Sequence, residues 1–321
     1  MDLPSPLRQA IDSALSGVPL GELATADAAL SGRYRQEVRD GRLHIADARL
    51  ALAYIATRMP ATYAAIHASL SALADQLKDF APRSLLDVGA GPGTVMWAAA
   101  DLWPMLEAAT LLEASPAIRA VGEKLAAASP IAGVTWRAGD LRTETADMPH
   151  DLVTLAYVLD ELAPKERDVL VDRLWQLTGS VLLIVEPGTT TGWQRILSAR
   201  DQLIASGAGI LAPCTHAQAC PVTAPDWCHF SARVARSRIH RLAKEAEVPW
   251  EDEKFIYLAA SRTPATASSA RVLVPPESAT GRVRLKLCQS DGTLTRRLVT
   301  RREGDAFKQA RRRGWGDVFE G

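Results

Sequence analysis

One decapeptide constrains this chain more than any other feature: Leu85-Leu86-Asp87-Val88-Gly89-Ala90-Gly91-Pro92-Gly93-Thr94. An apolar run carrying one acid leads into glycines at three alternate positions, and a helix-compatible stretch follows. Glycine lets the backbone turn through positive φ and lie close to a ligand. A strand, a glycine turn and a helix in that order is how open α/β sheets hold a nucleotide-like cofactor beyond the strand ends. Glu113, twenty residues past Gly93, closes the next predicted strand, where a carboxylate can accept from both hydroxyls of a ribose.

The identity of the cofactor turns on position 94. A dinucleotide fingerprint needs a third glycine or a similarly small residue there, and this chain has Thr94, with Pro92 inside the loop. The segment Asp-Val-Gly-Ala-Gly-Pro-Gly-Thr resembles motif I of class I methyltransferases. Their ligand, S-adenosylmethionine, has no pyrophosphate to cradle. The resemblance also puts Asp140, in Ala138-Gly139-Asp140-Leu141, at the adenine, although an aspartate there can equally cap a turn. The cofactor-binding set is therefore Asp87, Gly89, Gly91, Gly93, Glu113 and Asp140.

Around the loop, strands (84–88, 110–113, 134–137, 151–156, 180–185, 255–260) alternate with helices (94–102, 116–127, 164–177, 191–205, 231–246). That alternation predicts an α/β fold with a doubly wound, mostly parallel, Rossmann-like sheet. The length of 321 residues suits about two domains. Residues 1–80 read as an N-terminal helical cap. Within it, 61–80 forms an amphipathic helix with Ile66, Leu70, Leu73 and Leu77 on one stripe. Residues 81–262 form the cofactor domain, interrupted at 207–230 by a Pro- and Cys-bearing insertion without regular structure. The small polar stretch 263–270 is a linker. Residues 271–321 form a β-rich module, with strands at 271–274, 281–288 and 293–300, a hairpin turn at Asp291-Gly292 and a basic helix at 305–313. No apolar run spans a bilayer, and the first fifteen residues lack a secretory signal. The expected location is cytoplasmic, or an organellar matrix in a eukaryote, with no membrane or DNA partner and a monomeric state.

Evidence for catalysis is thinner. Amino-directed methyltransferases often carry Asn/Asp-Pro-Pro-Tyr/Phe after the fourth strand, but here the chain reads Ala156-Tyr157-Val158-Leu159-Asp160-Glu161-Leu162. The catalytic candidates are Asp160 and Glu161, which could orient an acceptor or serve as a base; acids at this place also commonly open a helix. Glu186-Pro187-Gly188 either edges the pocket or forms a plain turn.

Three of the four cysteines, Cys214, Cys220 and Cys228, share the insertion, and Cys288 lies far downstream. Clustered cysteines in a chain without a secretory signal point to metal or redox chemistry rather than to a disulfide framework. The spacing lacks the paired C-x2-C knuckles of zinc ribbons. Pro213 and Pro221 beside cysteines fit an iron–sulfur loop, while His216 and His229 keep zinc open. Four unrelated buried thiols are the bland alternative. The formal net charge is zero, yet between Gly281 and Arg313 eleven Lys/Arg stand against three Asp/Glu. Such a segment suits an anionic partner or is simply a solvated basic surface.

Taken together, the loop, Pro213-Cys214, Cys220-Pro221, Trp227-Cys228-His229-Phe230-Ser231, Leu287-Cys288 and Ala310-Arg311-Arg312-Arg313-Gly314-Trp315-Gly316-Asp317 resemble the methyltransferase-like family of small ribosomal subunit proteins, best known from a mitochondrial small-subunit assembly factor and present in bacteria. The resemblance implies a class I methyltransferase fold and a 4Fe-4S cluster on Cys214, Cys220, Cys228 and Cys288. It further implies binding to small-subunit ribosomal RNA and proteins during assembly, with methyl transfer lost in the mitochondrial members. Arg282, Arg284, Lys286, Arg296, Arg297, Arg311, Arg312 and Arg313 are the candidate RNA contacts, extended by Arg233, Arg236 and Lys244. Trp315 could stack on a base, though a packed tryptophan is the commoner role. An active rRNA methyltransferase and a small-molecule methyltransferase with structural zinc are the alternatives.

Overall fold

The computed structural model describes residues 1–36, 40, 42–139, 148–264 and 269–321. Asp140 lies outside the described residues. The N-terminal quarter is helical: α1 (Ser5–Ala14), α2 (Leu20–Arg35), α3 (Ala48–Ala53), a π-turn (Tyr54–Arg58) and α4 (Met59–Gln76). Next come β1 (Ser84–Val88), α5 (Thr94–Leu102), β2 (Ala108–Glu113), α6 (Pro116–Ala126), β3 (Gly133–Ala138), β4 (His150–Ala156), α7 (Pro164–Gln176), β5 (Thr178–Pro187) and α8 (Thr190–Ala205). The remainder is β6 (Gly209–Ala212), β7 (Phe230–Ala235), α9 (Arg238–Ala243), β8 (Trp250–Ser261), β9 (Ala270–Val272), β10 (Glu277–Ala279), β11 (Arg282–Cys288), β12 (Leu294–Thr300), α10 (Asp305–Ala310) and β13 (Val318–Phe319).

The large sheet runs β3-β2-β1-β4-β5-β8-β6, with β7 also on β8. Pairings from β3 to β5 are parallel, and β8 is antiparallel to β5, β6 and β7. The order reverses at β1, so the carboxyl ends of β1 and β4 flank the crevice where such sheets bind ligands. Val181 to Val185 are all buried, as befits a central strand covered on both faces. This is the class I methyltransferase fold, joined to a small antiparallel sheet, β10-β11-β9-β13 with β12 on β11.

Three local expectations fail. The stretch 231–246 is not one helix: Phe230–Ala235 pairs with β8, and only Arg238–Ala243 is helical. Ala and Arg are good helix formers, which is why the segment reads as helix, but propensity is worth only about tenths of a kcal/mol per residue, and pairing with the open edge of β8 overrides it. The insertion 207–230 contains a strand, β6. β6 and β7 both lie along the far side of β8, so the cysteine loop bulges out between two edge segments. Finally, α4 is buried on most sides rather than amphipathic, because it packs against α5, β7 and β8 within one continuous core that also holds α1 and α2 residues.

Candidate functional site

Gly89, Gly91 and Gly93 all have positive φ, +68°, +54° and +83°. Gly93 caps α5, and its N–H donates to Ala90 O at 2.8 Å. At Gly89 the need for glycine is also steric: a Cβ there would lie 2.4 Å from Val158 Cγ2. Glu113, at the end of β2, accepts from Gly91 N–H at 2.8 Å through Oε2 and from Ser115 N–H at 2.7 Å through Oε1. A carboxylate offers about four acceptor sites, so Glu113, which lines the cleft, keeps capacity for a further donor. Asp87 does not face the ligand side: it is buried and accepts from Thr154 Oγ1 at 2.7 Å, and its Oδ2 has no partner among the described residues. Burial without a second donor pushes its carboxyl up to about 7.

Gly89, Gly91 and Glu113, but not Asp87 or Gly93, line a cleft of about 960 Å³, at the upper end of small-molecule sites. One wall is Val88, Gly89, Gly91, Leu112, Glu113 and Gly139. The opposite wall comes from α2, the π-turn, α9 and β8, through Tyr34, Tyr54, Arg58, Lys244 and Glu251. The N-terminal helices are held over it by specific bonds. Thr57 donates to Asp27 at 2.6 Å, and Ser115, the cap of α6, donates to Ile45 O at 2.6 Å.

Asp160 and Glu161 also line the cleft, in a 3-10 turn ahead of α7. Glu161 is pushed up to about 8, first by burial and then by Asp160. Glu186 is no turn residue: it is fully buried, accepts from Leu159 N–H at 3.0 Å and faces Arg195 Nη1 at 3.4 Å, which anchors the Asp160 loop. Sequence reasoning missed Tyr54, Arg58 and Tyr157 in the cleft. The one visible signal was Pro60 directly after Arg58-Met59, since a proline inside a helical pattern marks an irregularity.

The four cysteines are free thiols and all line one second pocket, with Arg200, His216 and Tyr257. Cys288 Sγ stands 3.4 Å from His216 Nε2. Burial pushes every one of the thiols up, Cys288 to about 12. Among the described residues no three Cys, His, Asp or Glu side chains are arranged to hold a metal ion. The loop is nonetheless stitched to the small sheet. Arg271, buried, donates through Nε to Pro213 O at 2.9 Å and through Nη1 to Gly316 O at 2.8 Å, while its Nη2 has no acceptor among the described residues. Thr215 donates to Gln289 O at 3.0 Å, and Trp315 packs edge-on against His229 at 4.9 Å.

The basic residues divide by face. On β11, Arg282, Arg284 and Lys286 alternate with buried Val283, Leu285 and Leu287. Arg296 lies opposite Lys286 on the same outer face. Arg297, opposite Leu285, points the other way and sits over Phe319 and beside Glu303. Arg284 pairs with Glu277 at 2.7 Å and Lys286 with Asp226. Arg311 and Arg312 are exposed and Arg313 is half-buried past α10. Arg233 pairs with Asp252, and Arg236 and Lys244 with Glu251, so these three are committed internally. Among the described residues no helix is long and apolar enough to cross a membrane.

The family model described as mitochondrial small ribosomal subunit Rsm22 matches residues 48–320. The human mitochondrial ribosome assembly protein METTL17 is 29% identical over 290 residues, covering 84% of this chain and 62% of that protein. The Rsm22-cox11 tandem protein 2, mitochondrial, of Schizosaccharomyces pombe is 25% identical over 324 residues, covering 84% of this chain and 43% of that one. The chain thus spans less than two thirds of the length of either relative. Among solved structures, magnesium protoporphyrin IX methyltransferase from Synechocystis aligns with a TM-score of 0.42 at 15% identity, over 73% of this chain and 91% of that one.

Proposed function

This chain belongs to the Rsm22 family of mitochondrial small ribosomal subunit proteins, and from that premise we propose that it is an S-adenosylmethionine-binding assembly factor that engages the RNA and proteins of the small ribosomal subunit. The observation that carries the proposal is the bond between Gly91 and Glu113 at the rim of the cleft, which fixes a close-approach backbone and a ribose acceptor side by side. Arg282 and Arg296 on the outer face of the small sheet, with Arg311 and Arg312, supply cations for phosphates, while Arg284 and Lys286 on that face are held by Glu277 and Asp226. The working compartment is the one in which that subunit is built, an organelle matrix in a eukaryote or the cytoplasm in a bacterium.

The reading includes a metal group on Cys214, Cys220, Cys228 and Cys288, an iron–sulfur cluster in preference to zinc. The residues fit in kind. Four soft donors line one pocket, and Arg271, bonded to Pro213 beside Cys214, has an Nη2 with no acceptor among the described residues, which suits the negative charge of a four-thiolate centre. When bound, such a group cross-links the insertion to β11 and supplies structural or electron-transfer chemistry.

Glu161 favours a second reading, active methyl transfer, because a cleft carboxyl raised to about 8 can hold or take a proton near neutral pH. One experiment separates the two. The full chain is mixed with small-subunit particles from cells lacking it, together with methyl-labelled S-adenosylmethionine. Co-sedimentation without label in RNA is the result expected. Label in RNA supports the enzyme, and failure to co-sediment contradicts both.

A further inference from the structure

Three irregularities meet at one spot in the cleft. The first is in the helix. Between α3 and α4 five residues, Tyr54–Arg58, form a π-turn. Such turns are uncommon inside α-helices and concentrate at functional sites. Tyr54 and Arg58, its two ends, both line the cleft.

The second is an open cation. The Arg58 guanidinium is only partly exposed, and among the described residues it has no hydrogen bond or ion pair. Its guanidinium lies over the face of Tyr34, 5.9 Å from the ring centre. Among the described residues, the other arginine and lysine side chains lining the cleft each have a hydrogen-bond partner. Arg236 and Lys244 hold Glu251 at 3.0 and 3.1 Å, and Arg35 donates to Ser31 O at 3.1 Å. Glu253, the carboxylate that acts most on Arg58, lies 3.4 Å from the hydroxyl of Tyr157.

The third is a strained backbone. Tyr157 has φ +60°, a conformation rare for a bulky residue and typical of ligand clamps. β4 pairs with β1 in the register Val88↔Leu155, so Tyr157 follows β4 beside the glycine loop that follows β1. Burial pushes the hydroxyls of Tyr34, Tyr54 and Tyr157 up, which keeps them as donors.

We propose that Arg58, framed by Tyr34, Tyr54 and Tyr157, is an anion subsite of the cleft that takes a carboxylate or phosphate group of the bound ligand. A guanidinium offers five N–H donors in a planar fork that matches either oxyanion. The sources are the amino-acid carboxylate of the cofactor or a phosphate of an RNA entering the cleft. The first source rests on the reading that the cleft holds S-adenosylmethionine.

The test titrates the full chain with S-adenosylhomocysteine, with 5′-methylthioadenosine, which has the same nucleoside but no carboxylate, and with a short single-stranded RNA. The proteins are wild type, Arg58→Met and Tyr54→Phe, and thermal melts verify folding. We expect Arg58→Met to bind S-adenosylhomocysteine at least tenfold more weakly and methylthioadenosine unchanged, since a charge-assisted bond is worth about that factor. Tyr54→Phe, which keeps the ring in place, shows a smaller loss for the same ligand and decides the matter if Arg58→Met does not fold. A loss confined to RNA, with the salt slope reduced by about 1, assigns the subsite to phosphate. Unchanged affinity for all three ligands overturns the proposal. A wild type that binds neither nucleoside defeats the cofactor reading instead, and the RNA arm then decides the subsite.

Discussion

Val158 occupies the space that a side chain at Gly89 would need: a Cβ there would come within 2.4 Å of Val158 Cγ2. The first turn of the glycine loop is thus packed directly against the segment that leaves β4, where Tyr157, Asp160 and Glu161 line the cleft. Moving either loop moves the other.

Gly89→Ala should therefore fail twice. It forces an L-residue to φ +68° and drives a methyl into Val158. Positive φ alone costs about 1–2 kcal/mol. Adding Val158→Ala should recover part of the stability, by relieving the clash, but not the backbone strain. Chemical denaturation of the two variants and wild type checks this, and full recovery in the double variant would show that φ is not the constraint.

Asp87 makes a pH prediction. Its folded carboxyl is raised to about 7, above its ordinary value of 3.8. Its contribution to stability is thus fully present below about pH 4 and is lost as pH rises through about 7. In that window the folded state holds the extra proton, and the slope is at most about 1.4 kcal/mol per pH unit. Asp87→Asn should remove this fall when unfolding free energies are compared from pH 4 to 8. Parallel curves for the two proteins would count against it.

The best-read parts of the sequence were those where local chemistry and tertiary role agree. The helix Thr94–Leu102 starts at its capping glycine, and the buried run Val181 to Val185 sits in mid-sheet. Phe230–Ala235 was misread because its alanines and arginine are helix formers, whereas its state is decided by pairing with β8 beyond α9. The division of Arg296 from Arg297 was invisible without the β11–β12 register. Arg58 and Tyr54 join the site only through a π-turn and the folding of an N-terminal wall over the sheet, and neither leaves a motif.

Glu251 organises the far wall, with Arg236, His240 and Lys244 within 3.0, 3.3 and 3.1 Å. Its carboxyl is lowered to about 2 despite its burial, by hydrogen bonds and charges of those three partners. Its stabilisation is present above about pH 4.5 and lost as pH falls toward 2. Glu251→Gln should destabilise the chain at pH 7 by about 2 kcal/mol, leaving Arg236 and Lys244 without their counter-ion, and should flatten the acid limb of a stability profile. An unaltered acid limb would place the acid sensitivity elsewhere.

RNA affinity should follow the outer face of the small sheet. Replacing Arg282 and Arg296 by Gln should lower the salt slope of RNA binding by about 1 for each phosphate contact removed, with little change in melting temperature. Arg297→Gln should do the reverse, lowering stability through Phe319 and Glu303 and sparing the slope. Filter binding between low and physiological salt distinguishes them. Equal slopes for the outer-face variant and wild type would remove that face from the RNA interface.

The account rests most heavily on the partnership of the glycine loop with Glu113, and equilibrium titration of S-adenosylmethionine into the full chain tests it directly. One molecule should bind per wild-type chain, and Glu113→Ala should weaken binding at least tenfold while the protein still melts cooperatively. No binding by wild type, or equal affinity in a folded Glu113→Ala protein, would contradict it.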